Sequence, residues 1–241
     1  MQWGTFTFIH IITILLGILI LIILDKIISK INYKNKIRVL FILSLTGVSA
    51  IIYNLLYWGN PLEYLPLHLC SLNAIALPIV IITRNKLFGN VLLLWSIGAF
   101  LAIVVNYDMS TVDVFSSTFM FYYFPHLFEF GIPIILFKKK IIIKDKKYIV
   151  TTVAITLIAY TLIHFINICI NYYCMNNNIV NSQGEYIIVN YMFSIYPQNP
   201  VLSFFYKVLP YSYWYMFLVI PIVILYLKIL YKSKSLETHI N

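Results

Sequence analysis

Seven continuous apolar runs, most of about twenty residues, constrain the fold of this chain more than any other feature of its sequence. A helix of about 20 residues spans the ~30 Å hydrocarbon core of a bilayer, whereas membrane barrels alternate apolar and polar residues in stretches of roughly ten. The runs cover residues 6–24, 39–57, 67–83, 88–107, 117–137, 148–170 and 211–230. We therefore predict an all-α polytopic membrane protein, a bundle of seven transmembrane helices that forms one domain over residues 1–241.

The composition agrees with this prediction. Apolar residues make up 61% of the chain and charged residues only 10%, against about 25% charged in soluble domains. Such a chain has too little polar surface to cover a water-facing globule. The net charge of +9 is mostly lysine, and we interpret it by position rather than as a signal for nucleic-acid binding. We expect membrane lipids as partners and no nucleic acid, and the sequence leaves the protein partners unknown.

The basic residues predict the orientation in the membrane. Sixteen of the 17 Lys and Arg residues lie on one side of the seven runs, and only Lys207 lies on the other. Short cytoplasmic loops collect Lys and Arg, so that side is predicted to be cytoplasmic, with the N-terminus outside and the C-terminus inside. No basic residue precedes the first run and no small-residue cleavage site follows it, which indicates an uncleaved first helix.

The long connector 171–210 is predicted to lie outside. It begins with polar residues, becomes amphipathic near residues 201–209 and contains three prolines in or at the end of its second half. Loops of this length are usually functional or disordered. We interpret the connector as a possible interfacial lid, with a simple turn on the membrane surface as the alternative.

Polar side chains inside the runs gather at one depth. Ionisable residues within a membrane are costly, and each is a candidate functional residue. At 1.5 Å per helical residue, several fall in the outer half of five different helices. They are His10, Cys70, Asn73, Asn106, His126, Glu129, His164 and Asn167. We predict a shared pocket open to the outer face, and the alternative is that each pairs separately with a neighbouring helix.

Cys70 is the candidate nucleophile of this layer, and a reactive thiol needs an imidazole nearby. His10, His126 and His164 are the candidate bases. His126 and Glu129 are three residues apart, so they share a helix face and are able to hydrogen-bond. A carboxylate that orients an imidazole is half of a catalytic triad. The same pair is also typical of a proton relay, a metal site or a structural bond.

Other features near Cys70 leave alternatives open. His68 is two residues away and points in the opposite direction, unless the helix begins between the two residues. Asn73, one turn after Cys70, is placed to donate to an oxyanion. Cys70 could instead be a packing residue, or form a disulfide with Cys169 or Cys174. The histidines are scattered over several segments and no glycine-rich phosphate loop is present, so we predict neither a metal nor a cofactor.

Several stretches together resemble one known family. They are LPLHLCSL at residues 65–72, PHLFEFG at residues 125–131, Asn190-Tyr191-Met192 followed by Pro200, Trp214-Tyr215, and His10 near the top of the first run. They resemble the YwaF-like bacterial integral membrane proteins. That family is similar to eukaryotic multi-pass proteins described as cysteine-dependent acyltransferases, which move a polyunsaturated acyl chain from phosphatidylcholine to a lyso-ether phospholipid.

The resemblance implies that Cys70 is the acyl-accepting residue and that the protein lies in the cytoplasmic membrane of a bacterium. The candidate catalytic residues are Cys70, His126, Glu129, His164 and His10. The candidate substrate-binding residues are His68, Asn73, Asn106, Asn190 and Tyr191. The expected function is acyl transfer between membrane lipids from the outer face. The alternative is a permease or solute-binding protein, against which the apolar inner half of the runs argues.

The charge pattern gives a first prediction. Reporter fusions after Lys36, Lys86, Lys140 and Lys234 should read cytoplasmic, because these residues belong to the basic side. Fusions after Asn60, Ser110 and Gln183 should read external. Alkaline phosphatase and fluorescent-protein activities measure the two locations, and two or more inverted sites would contradict the seven-span topology.

Overall fold

The structure is a computed structural model, and it describes residues 1–57, 60–106, 109–181 and 183–232. Regular structure in these ranges is helical, and extended pairing is limited to isolated bridges. The eight α-helices are α1 (Phe8–Lys30), α2 (Tyr33–Tyr57), α3 (Leu69–Thr83), α4 (Lys86–Val105), α5 (Ser117–Lys138), α6 (Tyr148–Asn176), α7 (Pro200–Val208) and α8 (Ile220–Lys232). The predicted all-α fold is confirmed; the predicted end of the fourth run, at residue 107, lies outside the described residues.

Six segments are long and apolar enough to cross a membrane: α1, α2, α4, α5, α6 and Trp214–Tyr231, in which a 3-10 turn leads into α8. Helix α3 has 15 residues, which is about 22 Å of helix against a ~30 Å hydrocarbon core. The helices also extend beyond the predicted apolar runs: α1 continues to Lys30 rather than ending at residue 24. Lysine is a good helix former, and its long side chain reaches water from a helix end.

The segments that connect the helices lie at two opposite ends of the bundle. We call the end with residues 30–33, 84–86 and 138–148 the basic end, and the end with residues 60–68 and 109–116 the neutral end. At the basic end, Asp25 pairs with Lys138 and Lys139 at 2.6 and 2.7 Å, and Arg84 donates to the Tyr33 hydroxyl. Successive long helices therefore run in opposite directions between the two ends.

Helices α4 and α5 form the centre of the bundle. They bury more of their surface than α1, α2 or α6, and α5 packs against α1, α2, α3 and α4. Apolar side chains fill the half of the bundle nearer the basic end. Among them are Leu77 and Ile81 of α3, Leu92 of α4, and Ile132 and Leu136 of α5. These side chains leave the neutral half as the place where polar groups meet.

A proline and an asparagine together maintain the hydrogen bonding of α5. Pro133 lies inside the helix and has no N–H to donate to the carbonyl of Glu129 one turn earlier. The buried Asn73 of α3 donates its amide to that carbonyl at 3.3 Å. In a bilayer core no water could replace the missing donor. Asn73 therefore ties α3 to α5 by a structural bond, and its donation to an oxyanion stays a prediction.

The Asn73 amide stands in for the backbone N–H that Pro133 lacks. This gives a second prediction, tested by a double-mutant cycle. Pro133→Ala restores the backbone donor to the Glu129 carbonyl, so the Asn73 amide becomes redundant. Asn73→Leu should therefore destabilise the protein by about 0.5–1.5 kcal/mol more in the native background than in the Pro133→Ala background. Unfolding in detergent micelles measures both steps. Equal effects of Asn73→Leu in the two backgrounds would show that the bond contributes nothing.

Candidate functional site

A cavity of about 320 Å³ opens between α2, α3 and α5 in the neutral half of the bundle. Its walls are Gly47, Ala50, Ile51 and Asn54 of α2; Cys70, Ser71 and Ala74 of α3; Thr118, Phe121, Tyr122, Pro125, His126 and Glu129 of α5; and Tyr64, Met109 and Val112 of the connections. The thiol, the imidazole and the carboxyl that the sequence singled out thus face one space. Their convergence makes this cavity the candidate active site.

Cys70 is the second residue of α3, at the neutral end of that helix. Helix α3 begins at Leu69, between His68 and Cys70, and His68 makes no side-chain cap. Cys70 and Ser71 lie in the first turn of α3, where backbone N–H groups have no acceptor within the helix. Free N–H groups and the positive end of a helix stabilise negative charge. The start of α3 is therefore suited to a thiolate or to an oxyanion next to it.

The imidazole of His126 is oriented by its own helix. Its Nδ1 lies 2.6 Å from the carbonyl oxygen of Tyr122. A carbonyl only accepts hydrogen bonds, so Nδ1 carries the proton and Nε2 keeps its lone pair. The Tyr122 carbonyl thus takes the orienting position that the sequence analysis gave to Glu129. In the described part of the chain, no hydrogen bond joins His126 to Glu129 or joins an imidazole to Cys70.

Glu129 lies one turn further along α5, on the cavity floor. It is 4% exposed, and its carboxyl is near enough to Cys70 to interact with the thiol electrostatically. Gly47 of α2 provides the space for it: a Cβ built on Gly47 would lie 2.9 Å from Glu129 Oε1 and 2.7 Å from the Ala74 Cβ. The absence of a side chain at Gly47 therefore lets the carboxyl face the cavity.

His10 belongs to a separate cluster that fixes the N-terminal segment. Its Nδ1 accepts from the backbone of Phe6 at 2.9 Å, and its Nε2 donates to the carbonyl of Ile103 at 2.8 Å. Asn106 donates to the carbonyl of Gly4 at 2.6 Å. Both imidazole nitrogens of His10 are thus engaged in fold-stabilising bonds, away from the cavity walls. The N-terminal segment in turn bonds to the 109–116 connection, since Trp3 donates to the carbonyl of Val112 at 2.9 Å.

His164 belongs to a third cluster, on α6. Its Nδ1 lies 3.1 Å from the hydroxyl of Ser194, and the same hydroxyl accepts from the Asn167 amide at 2.9 Å. Asn167 also bonds to both the carbonyl and the N–H of Tyr191. The amide of Asn190 donates to the carbonyl of Tyr196. These side chains hold the 187–196 segment against α6 and do not line the cavity.

The third cluster nevertheless supports the start of α3. The Tyr191 hydroxyl donates to the carbonyl of Leu62 and accepts from the backbone of Leu65 at 3.1 Å. Burial raises the pKa of Tyr191 to about 12, so this hydroxyl stays protonated and able to donate. His68 Nδ1 lies 3.4 Å from the backbone N–H of Met192. Tyr191 and His68 thus position the segment that leads to Cys70.

The polar layer predicted as one pocket is divided into three clusters in the structure, and one of them faces the cavity. The three cysteines are free thiols, so the alternative of a disulfide at Cys70 is not realised. The described residues of the connector 171–210 contribute nothing to the cavity walls, and Tyr64, Met109 and Val112 cover the cavity instead. Sequence analysis missed the α2 wall, although Gly47, Ala50 and Asn54 share one helix face. Within the described ranges, no group of three metal-ligating residues occurs.

The fold and the cavity define the class of the protein, an integral multi-pass helical membrane protein. A family model described as the TMEM164 family matches residues 2–231, nearly the whole chain, and the chain belongs to that family. A search of curated proteins gives no match, and a search of solved structures gives none.

The close approach at Gly47 gives a third prediction, with Gly98 as its matched control. Gly47→Ala should destabilise the protein by about 1–3 kcal/mol, since the added methyl overpacks the floor of the cavity. Gly98→Ala should be neutral or stabilising by up to about 1 kcal/mol, because its Cβ meets only Leu69 at 3.5 Å and alanine favours the helix. Thermal unfolding in detergent measures both. Equal shifts for the two variants would contradict the packing at Gly47.

Proposed function

We propose that this chain is a cysteine-dependent acyltransferase that acts on membrane lipids. The observation that carries the proposal is the convergence of Cys70 and His126 on one cavity, with Cys70 at the start of a helix. The resemblance of the LPLHLCSL stretch to the YwaF-like proteins supports the same assignment. The pairing of a thiol with an imidazole supports nucleophilic catalysis as the reaction type, and the resemblance implies membrane lipids as the substrate class.

We further propose that α3 is a seventh span and that the neutral end faces outward. Helix α3 would cross the core together with residues 62–68, which form the end of a 3-10 turn and an irregular segment, because the helix alone is too short. Non-helical backbone is tolerated at membrane depth where protein buries it. The Tyr191 hydroxyl, which bonds the backbone at Leu62 and Leu65, provides that protection. Cys70 would then lie near the level of lipid ester groups in the outer leaflet.

The reaction proceeds in two balanced half-reactions. In the first, the Cys70 sulfur attacks the ester carbonyl of the donor lipid, and His126 Nε2 takes the thiol proton. The carbon–oxygen bond of the ester breaks, a thioester forms on Cys70, and a lysolipid leaves as an alcohol once an acid in the cavity has given its oxygen a proton. In the second, the hydroxyl of an acceptor lysolipid gives its proton to a base in the cavity as it attacks the thioester. A new ester forms, and the thiol regains its proton from His126.

The geometry supports this sequence of events. The N–H groups of the first turn of α3 are suited to stabilise the thiolate and then the oxyanion of each tetrahedral intermediate. His126 is held in the tautomer that accepts a proton at Nε2. Catalytic hydrogen bonds are often long before substrate binds and shorten in the complex. The proton transfer from the Cys70 thiol to His126 therefore takes place when substrate is bound in the cavity.

The size of the cavity supports a lipid that enters only in part. About 320 Å³ is at the lower limit of ligand pockets, which hold ~300–1,000 Å³. The ester group and the adjoining part of one acyl chain fit such a space, and the rest of the lipid stays in the bilayer. Tyr53 of α2 and Phe121 of α5 stack at 4.3 Å between centroids across these two helices. We propose the seam between α2 and α5, which these two rings bridge, as the lateral entry.

A permease is the competing function, and the packing argues against it. Transport needs a path from the cavity to the basic end. That half of the bundle is filled by fully buried apolar side chains, including Leu77, Ile81 and Ile132. A solute would have to pass through this close-packed core.

Trapping of the acyl-enzyme gives the fourth prediction. Purified protein in lipid nanodiscs that contain a phospholipid with an isotope-labelled acyl chain should carry the label as a hydroxylamine-sensitive thioester on Cys70. Cys70→Ala should lose both the label and lysolipid acylation. Cys169→Ala is the matched control and should keep both, since Cys169 is exposed and away from the cavity. Peptide mass spectrometry locates the label, and acyl transfer at the native rate by Cys70→Ala would contradict the proposal.

A further inference from the structure

Two buried acceptor oxygens near the cavity floor lack a hydrogen-bond donor in the described part of the chain. They are Oε2 of Glu129 and Oδ1 of Asn73. Glu129 lines the cavity and is 96% buried, so its carboxyl lies at the wall of the space where substrate would bind. Buried polar groups in native proteins are nearly always paired. An unpaired carboxyl oxygen in a cavity therefore indicates that a bound ligand brings the missing donor.

The surroundings of Glu129 also determine its charge before substrate binds. No Lys or Arg lies among the described residues of the cavity wall. An isolated carboxylate in a low-dielectric interior is very costly, and such a group keeps its proton instead. The electrostatic contact with Cys70 acts in the same direction, since a thiolate and a carboxylate side by side repel. The resting site thus contains a neutral carboxyl, a neutral imidazole and a neutral thiol.

We propose that Glu129 is the acid and base for the alcohol oxygens of the two lipids, while His126 serves only the thiol. This inference rests on the proposed function and assigns a catalytic role beyond it. The ligand class is a hydroxyl-bearing lipid, whose O–H supplies the donor that Oε2 lacks. The carboxyl gives a proton to the departing lysolipid oxygen and later takes one from the attacking hydroxyl.

The proton balance closes over the two half-reactions. During acylation, the thiol proton goes to His126 Nε2, and the Glu129 proton goes to the leaving alkoxide as the ester carbon–oxygen bond breaks. The enzyme then holds a thioester, an imidazolium and a carboxylate. During transfer, Glu129 takes the proton of the acceptor hydroxyl as its oxygen bonds to the thioester carbon. The imidazolium returns its proton to the departing thiolate, and all three groups are neutral again.

The spacing of His126 and Glu129 on α5 favours the acyl-enzyme state, in which His126 is an imidazolium and Glu129 is a carboxylate. His126 and Glu129 are three residues apart on the same face of one helix, and both line the cavity. Opposite charges at this spacing attract, and the attraction is strongest where water is excluded. At rest the two groups are neutral and are not hydrogen-bonded to each other. They become an ion pair only after acylation, which stabilises the acyl-enzyme until an acceptor arrives.

The role of Glu129 is tested with acyl donors whose leaving groups do or do not need a proton. It is also tested with acyl acceptors that do or do not need a base. With a phospholipid donor, Glu129→Gln should acylate Cys70 about 10²–10⁴-fold more slowly than native protein. With a p-nitrophenyl acyl ester, whose leaving group needs no proton, Glu129→Gln should acylate at close to the native rate. The thioester should then accumulate, because a lysolipid hydroxyl discharges it slowly. Hydroxylamine, which needs no base, should discharge it at the native rate.

The controls separate this inference from the proposed function. Glu185→Gln, an exposed residue of the connector, should match native protein with every donor and acceptor. Glu129→Gln should keep its unfolding temperature and its maleimide labelling at Cys70, so that slow turnover is not a folding defect. If Glu129→Gln transfers between phospholipids at the native rate, or is equally slow with the p-nitrophenyl ester, the role assigned to Glu129 is wrong. If native protein forms no thioester with any donor, the proposed function itself fails.

Discussion

The late start of α3 is the constraint on which the rest of the site depends. Residues 64–68 are not helical, so their backbone groups need partners that neither lipid nor a helix provides. The Tyr191 hydroxyl bonds the backbone at Leu62 and Leu65, and Asn167 fixes Tyr191 from α6. The His68 imidazole accepts from the Met192 N–H and holds the segment beside the third cluster. These bonds support the start of α3 at Leu69. Cys70 therefore lies in the first turn of α3 and faces the cavity, instead of lying in the interior of the helix.

A second constraint comes from the prolines of α3 and α5. Pro78, Pro125 and Pro133 each remove a backbone donor within the bundle. Asn73 replaces the donor lost at Pro133 and links the helix of the thiol to the helix of the imidazole and the carboxyl. This bond therefore helps to set the position of Cys70 relative to His126 and Glu129. Apolar packing among α3, α4 and α5 toward the basic end supports the same arrangement.

Much of the fold followed from hydropathy and charge alone, because lipid demands long apolar helices and basic residues collect at one end. The grouping of polar residues was harder to predict. Depth along a helix placed His10, Cys70, His126 and His164 in one layer, but depth carries no information on which helices are neighbours. The His126–Glu129 spacing suggested a bond that the Tyr122 carbonyl makes instead. The role of Tyr191 could not be predicted, since its partners at Leu62 and Leu65 are backbone groups far away in sequence.

The central claim is that a lipid ester occupies the cavity between α2, α3 and α5. Photo-crosslinking in nanodiscs with a phospholipid that carries a diazirine next to its ester tests this directly. The account predicts crosslinks on the α2 and α5 walls, at Ala50, Phe121 and nearby residues. A shallow groove on the other side of the bundle, with Leu157 and Phe217 in its wall, serves as the internal comparison. Crosslinks concentrated there, or spread evenly over the lipid-facing helices, would contradict the account.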